Sequence, residues 1–185
     1  METRAIAHIA LFAAIVAVLG LLPRIDLPVA GGVPITAQTL GVMLAGVILG
    51  ARRAGLALLL FLFVVALGAP FLAGGRGGLG AFAAPSAGFL VGWLPGAFVC
   101  GLIAERLAGR LPVFAAAMVA SIVGGILVIY AFGIPVLAWK ANLTLLQAAI
   151  GSAAFLPGDL LKAVLAGLVA TGLRRAAPST FAGAR

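Results

Sequence analysis

The chain has 185 residues, of which 64% are hydrophobic and 9% are charged, and its formal net charge is +8. Soluble proteins carry roughly 45–50% apolar and about 25% charged residues, so this composition excludes an ordinary soluble domain and predicts an all-α integral membrane protein. The basic residues lie between apolar runs and not in one cluster. The positive charge therefore indicates membrane topology and predicts no nucleic-acid partner.

Six apolar stretches are predicted to span the membrane. In chain order they cover 5–22, 38–50, 54–68, 87–104, 113–133 and 156–173. The first is longer than the hydrophobic region of a signal peptide, so we interpret it as a retained span. The second and third are short, and we predict a helical hairpin with Arg52 and Arg53 at its turn. Residues 1–185 are predicted to form one six-transmembrane-helix bundle, with 174–185 as a cytoplasmic tail.

The basic residues are divided unequally between the two sides of these spans. One side has eight: Arg4, Arg52, Arg53, Arg106, Arg110, Arg174, Arg175 and Arg185. The other side has three: Arg24, Arg76 and Lys140. Because short basic connections stay in the cytoplasm, both termini are predicted to lie inside.

The connections on the opposite, outer side are longer and rich in glycine and proline, so we expect the functional site there. One of them contains Gly75-x-Gly77-x-x-Gly80, which matches the fingerprint of dinucleotide-binding loops. Such a loop needs a strand before it, a helix starting within it and an acid about 20 residues later. The sequence predicts none of these three features, so we interpret the match as chance.

Asp159 and Lys162 are the ionisable residues of the last span. Their i, i+3 spacing places both on one face of a helix. An ionisable residue inside a span costs at least about 2.5–3.5 kcal/mol on insertion scales, so the pair is a functional-site hypothesis. The alternative is that Asp159 caps the helix after Pro157-Gly158 while Lys162 neutralises it.

Three amide side chains near the outer ends of spans could line the same site: Gln38, Asn142 and Gln147. The sequence contains one histidine, near the inner side, and no set of residues with nucleophile–base or metal-ligand spacing. General acid–base catalysis at the outer site is therefore not expected, and we predict that the protein is not an enzyme and holds no metal or cofactor.

Small residues repeat every fourth position in three spans. Gly46 and Gly50 share one face, as do Gly88, Gly92 and Gly96, and we expect these faces to pack inside the bundle. Ala10 and Ala14 share a face of the first span, which either packs inside the bundle or docks another membrane subunit.

Three motifs in this order resemble the BioY family: GGVPITAQTLGVMLAGVILGARRAG, GGLGAFAAPSAGFLVGW and FLPGDLLKAVLA. BioY proteins are the biotin-specific substrate-binding subunits, or S components, of energy-coupling factor (ECF) transporters. The resemblance implies an S-component bundle in the cytoplasmic membrane of a bacterium or archaeon. It implies biotin as ligand, surrounding lipid, a transmembrane coupling subunit, and two cytoplasmic ATPase subunits that use ATP. The Ala10–Ala14 pattern would then be the docking face for the coupling subunit.

The resemblance also implies roles for particular residues. Asp159 and Lys162 match the acidic–basic pair of the family's G-D-x-x-K motif, and Gln38 matches the polar residue after its P-I-T segment. Before span four the family reads closer to G-P-T/S-G-G-Y. Here Ser86 and Phe89 occupy that region, so Phe89 offers apolar contact without a hydroxyl.

Biotin has a ureido ring with N–H donors and a carbonyl acceptor, an apolar second ring and a carboxylate tail. Asp159 is expected to accept from a ureido N–H, and Lys162 to donate to the carbonyl or pair with the tail. Arg76 is a candidate for the carboxylate. Phe71, Phe82 and Trp93 are candidates for covering the rings.

Three other functions fit the same sequence. One is an S component for another vitamin, such as thiamine or riboflavin. A second is a small proton-coupled carrier with Asp159 as the proton site. A third is a structural membrane subunit that binds no solute.

Overall fold

The computed structural model describes residues 3–24 and 33–177, and within them it contains nine α-helices. The helices are α1 (Thr3–Gly20), α2 (Gln38–Leu49), α3 (Ala51–Ala66), α4 (Gly80–Ala83), α5 (Ala87–Leu107), α6 (Val113–Ile122), α7 (Ile129–Lys140), α8 (Leu145–Ala153) and α9 (Leu156–Ala176). A π-helical segment, Val123–Val128, joins α6 to α7 without a break. Four continuous helical stretches of the described chain are long and apolar enough to cross a membrane: α1, α5, α6 through α7, and α9. The all-helical membrane fold is therefore confirmed.

Helices occur at all six predicted stretches, but the fifth is longer than predicted. It continues through Pro135 to Lys140, whereas the prediction ended it at residue 133. Proline removes one backbone donor, and membrane helices tolerate the loss where neighbouring groups compensate for it. The outer connections also contain two short helices, α4 and α8, where the sequence analysis expected only loops.

The helix α5 lies at the centre of the bundle, in contact with α2, α3, α6, α7 and the π-helical segment. Its glycines permit this packing. A Cβ atom on Gly88 would overlap Phe132 and Val136, and one on Gly96 would lie 2.8 Å from the carbonyl oxygen of Gly124. The predicted internal role of this small-residue face is confirmed. Gly46 of α2 packs likewise against Cys100, and α9 packs against α2 and α6.

Six arginines lie at or next to helix ends that meet at one end of the bundle: Arg52 and Arg53 at the start of α3, Arg106 and Arg110 around the end of α5, and Arg174 and Arg175 at the end of α9. A cavity there is lined by residues of the α2–α3 junction, the α5–α6 junction and the end of α9, including Gly50, Glu105 and Arg174. The backbone N–H of Ala51 donates to Oε1 of Glu105 at 3.0 Å, which ties two of these junctions together. Arg4 lies in the first turn of α1 and Arg185 lies outside the described residues, but the other six members of the predicted inner set meet at this end of the bundle. We call this the arginine end.

Candidate functional site

A cavity lies near the opposite end of the bundle, where α2, α5 and α9 begin. The space within it is about 700 Å³, a figure that includes the open solvent at its mouth. Six of the seven predicted ligand-binding residues line it: Gln38, Arg76, Ser86, Phe89, Asp159 and Lys162. Residues predicted from four separate parts of the sequence are thus brought together by the fold.

Asp159 is the centre of a hydrogen-bonded cluster in this cavity. Lys162 Nζ lies 2.9 Å from Asp159 Oδ1 and donates to Thr39 Oγ1, also at 2.9 Å. Thr39 Oγ1 in turn donates to Asp159 Oδ1 at 3.2 Å. Tyr130 donates its hydroxyl proton to Asp159 Oδ2 at 2.8 Å. The four side chains join α2, α7 and α9, and they form the polar cluster to which we refer below.

The position of Asp159 follows from how α9 begins. Phe155 precedes the helix, and Pro157 occupies its first turn, where a missing N–H costs nothing. The Asp159 side chain makes no hydrogen bond to a backbone N–H at the helix start, so it does not act as a cap. Asp159 is only 4% exposed, and the hydrogen bonds from Thr39, Tyr130 and Lys162 together stabilise its buried charge.

The sequence analysis missed Tyr130 as a member of the site. It is the single tyrosine of the chain, in the middle of a span. A hydroxyl at that depth needs a hydrogen-bond partner, and this requirement was the available signal. The sequence alone could not show that the helix register turns Tyr130 toward Asp159.

Gln38 lines the cavity, but its amide is used by the protein backbone. Nε2 donates to the carbonyl oxygens of Val16 at 3.1 Å and Phe71 at 3.0 Å, and Oε1 accepts from the N–H of Ala73 at 3.1 Å. Both amide N–H groups are therefore committed. In this structure Gln38 holds the end of α1 and the connection after α3 beside the cavity.

The glycine-rich stretch after α3 forms a tight reverse turn. Leu72 and Arg76 exchange backbone hydrogen bonds of 3.0 and 3.2 Å, and Gly74 and Gly75 between them have φ angles of 79° and 70°. Glycine adopts these angles without a steric cost, so the turn explains Gly75, the first glycine of the fingerprint, without any nucleotide. The turn places Arg76 at the cavity, with Nε donating to Ala73 O at 3.3 Å and Nη1 lying 3.5 Å from Ser86 Oγ.

Aromatic side chains form one wall of the cavity. Phe89 contacts the ring of Tyr130 edge to face at 5.9 Å between centroids, and it contacts Phe155 in the same way at 6.1 Å. Trp93 also lines the cavity and packs against Phe61. The site therefore combines an apolar wall with one buried polar cluster.

The structure does not bring the remaining candidates to this cavity. Asn142 is exposed in the turn after α7, where its φ is 52°, an angle that asparagine adopts more readily than most residues. Gln147 forms a capping box with Thr144 at the start of α8. Phe71 and Phe82 are not among the lining residues.

Ala10 and Ala14 lie on the outer surface of the bundle. Both are exposed, whereas Ile9, Phe12, Ala13 and Val16 of the same helix are buried against α2 and α3. The face that carries Ala10 and Ala14 is therefore not used for packing within the described chain.

Comparisons with known proteins agree with this architecture. The BioY family model matches residues 1–179. The chain is 54% identical over 173 residues to the biotin transporter BioY of Rhizobium etli, which covers 91% of this chain and 92% of the relative. It is 48% identical to the biotin transporter BioY of Rhodobacter capsulatus, with 96% and 97% covered.

A crystal structure of the S-component for biotin from an ECF-type ABC transporter has the same fold. Its TM-score to this chain is 0.88 at 29% sequence identity, and 95% of each chain is covered. The family match, the relatives and the fold all agree, and the chain belongs to the BioY family of transporter substrate-binding subunits.

Proposed function

We propose that this protein binds biotin in the cavity of the polar cluster and is the S component of an ECF-type transporter. The observation that carries the proposal is the buried cluster of Asp159, Lys162, Thr39 and Tyr130 beside an aromatic wall. The proposal is also supported by the relatives of the chain, which are named biotin transporters, and by the matching crystal structure, which is of an S-component for biotin.

The hydrogen bonds within the cluster leave particular groups for a ligand. Lys162 has three N–H groups, of which one binds Asp159 and one binds Thr39. The third is available to the ureido carbonyl. Asp159 Oδ2 accepts one bond, from Tyr130, and retains capacity for a ureido N–H.

The rest of the ligand matches the remainder of the cavity. Phe89 and Trp93 can cover the apolar ring of biotin. The turn 72–76 forms one edge of the cavity and carries Arg76. The guanidinium of Arg76 can pair there with the carboxylate tail of biotin. Ser86, 3.5 Å from Arg76, supplies a further polar group there.

The arginine end gives the orientation in this proposal. Seven of the described arginines lie either at the arginine end or at the start of α1. Because basic segments stay in the cytoplasm, we place these arginines inside the cell and the cavity of the polar cluster near the outer face. The exposed Ala10–Ala14 face of α1 then docks the transmembrane coupling subunit. Two ATPase subunits on the cytoplasmic side supply the energy.

The test is ligand retention by the purified protein. Labelled biotin should stay bound through gel filtration and be displaced by unlabelled biotin, but not by thiamine or riboflavin. Displacement by either other vitamin at the same concentration would assign the protein to a different substrate. In cells, uptake that collapses with a proton ionophore but persists without the ATPase subunits would favour a proton-coupled carrier instead.

A further inference from the structure

The cavity at the arginine end is distinct from the cavity of the polar cluster, and within the described residues the two share no lining residue. The space within it is about 730 Å³, a figure that includes the open solvent at its mouth. Its wall is mostly apolar and comes from α2, the end of α5, the connection after α5 and the start of α6, with Val47, Leu111 and Val113 among its members. Leu111 is exposed at the mouth. The proposed binding of biotin gives this cavity no role.

Two charged side chains line this cavity in the described chain, Glu105 and Arg174. Glu105 accepts a hydrogen bond of 3.0 Å from the backbone N–H of Ala51 in the first turn of α3, where the positive end of the helix dipole stabilises a carboxylate. Arg174 is half-buried, and its guanidinium has five N–H donors, so it can hold a protein partner and an anion together. Among the described residues the arginine end carries six arginines against this one carboxylate, so the cavity favours a negatively charged ligand.

The arginines by themselves do not require a ligand, because basic connections stay in the cytoplasm whether or not they bind anything. That rule treats all six arginines alike, whereas the structure does not. Arg174 lines the cavity, but its neighbour Arg175 is exposed and is not among the lining residues. An apolar wall beside one guanidinium fits an amphiphile, whose phosphate can pair with the guanidinium while its chains follow the wall.

The place of the cavity in the membrane indicates which amphiphile it holds. In the orientation proposed above, the arginine end lies at the inner surface, where anionic phospholipids carry phosphate groups at the ends of apolar chains. Basic pockets between transmembrane helices on this side bind such head groups. We propose that the cavity at the arginine end binds one anionic phospholipid of the inner leaflet, with its phosphate on Arg174 and its chains on the apolar wall beside Leu111. This inference rests on the orientation given under the proposed function but not on the identity of the vitamin.

Lipid titration of the delipidated protein in a neutral detergent tests the site, with bound lipid counted by native mass spectrometry. Dioleoyl phosphatidylglycerol should fill one saturable site and should bind more tightly than dioleoyl phosphatidylcholine, which has the same chains and no net charge. Arg174→Gln should weaken phosphatidylglycerol about 10- to 150-fold, the range for a hydrogen bond to a charged group. Arg174→Lys keeps the positive charge and should recover part of this loss.

Arg175→Gln is the matched control, because it removes the same charge from the same helix end but outside the cavity. The general attraction of a cation to anionic lipid gives this variant a loss of about fivefold at most. An equal loss in the two glutamine variants, or equal binding of both lipids by the wild-type protein, would overturn the proposal. Binding of soluble glycerol phosphate with the same dependence on Arg174 would also overturn it, since the ligand would then be a soluble anion. Unchanged lipid binding in Arg174→Gln, together with loss of its assembly with the coupling subunit, would assign the cavity to that subunit instead.

Biotin binding separates this inference from the proposed function. Both glutamine variants should keep the wild-type affinity for biotin, because neither residue lines the cavity of the polar cluster. Thermal unfolding of each variant shows independently whether it is folded. A folded protein that binds biotin but shows no saturable lipid site would overturn this inference alone. A wild-type protein that binds phosphatidylglycerol but not biotin would overturn the proposed vitamin and leave the lipid site in place.

Discussion

Replacing Lys162 by methionine tests how the polar cluster stabilises a buried charge. Methionine has a similar length and remains apolar, so the substitution removes the ammonium with little change in packing. It deletes two contacts of 2.9 Å, to Asp159 Oδ1 and to Thr39 Oγ1. Asp159, which is 4% exposed, then has the hydroxyl groups of Thr39 and Tyr130 as partners but no adjacent cation within the cluster.

The expected loss of stability is large. Removing one partner of a buried ion pair costs about 3–5 kcal/mol because the remaining charge is uncompensated. At about 2–4 °C per kcal/mol for a chain of this length, the unfolding midpoint should fall by about 6–20 °C. The double variant Asp159→Asn with Lys162→Met has no buried charge and should recover part of this loss.

Thermal unfolding in detergent, without biotin, measures both variants. Arg106→Met is the control, because Arg106 is an exposed cation at the arginine end and should change stability by about 1 kcal/mol or less. The reasoning is refuted if Lys162→Met unfolds at the wild-type temperature. It is also refuted if the double variant is less stable than Lys162→Met alone.

Three further predictions concern docking, the ligand tail and the aromatic wall. Ala14→Leu should abolish uptake in cells but leave biotin binding unchanged. The control Ala131→Leu, at an exposed alanine of α7, should change neither uptake nor binding. Equal uptake by the two variants would contradict the assignment of the Ala10–Ala14 face as the docking face. Arg76→Gln should weaken biotin about tenfold or more, by loss of a charged hydrogen bond, but should not weaken biotin amide in the same displacement assay. Gly133→Ala should reduce the affinity for biotin and biotin amide alike, because the added Cβ atom would overlap the ring of Phe89 and displace that ring. Unchanged affinity would show that the ring of Phe89 does not contact the ligand.

Four of the helical stretches were predictable because a membrane span needs a long apolar run. The shorter helices α2 and α3 were predictable because apolar residues dominate both of them. The end of the fifth span was not predictable. The pattern Gly133-x-Pro135 usually ends a helix in a soluble protein, but a membrane helix tolerates it. The short helix α8 carried a readable signal. Thr144 and Gln147 have the spacing of a capping box, and the structure shows both of its hydrogen bonds.

The charged part of the site was predictable for a different reason. Asp159 and Lys162 are costly inside a span, so their presence required an explanation. Gln38 and Tyr130 show the limit of that reasoning. Whether a polar side chain serves the backbone, as Gln38 does, or the ligand cavity depends on contacts 22 to 35 residues apart in sequence.

Biotin binding by Asp159→Asn tests the central claim most directly. The substitution keeps the shape of the side chain and removes its charge. Glu105→Gln makes the same chemical change at the arginine end, away from the cavity of the polar cluster. Equilibrium binding of labelled biotin should weaken about 10- to 150-fold in Asp159→Asn, the range for a hydrogen bond to a charged group, and should be unchanged in Glu105→Gln. Wild-type affinity in Asp159→Asn, or an equal loss in both variants, would contradict the assignment of the polar cluster as the biotin site.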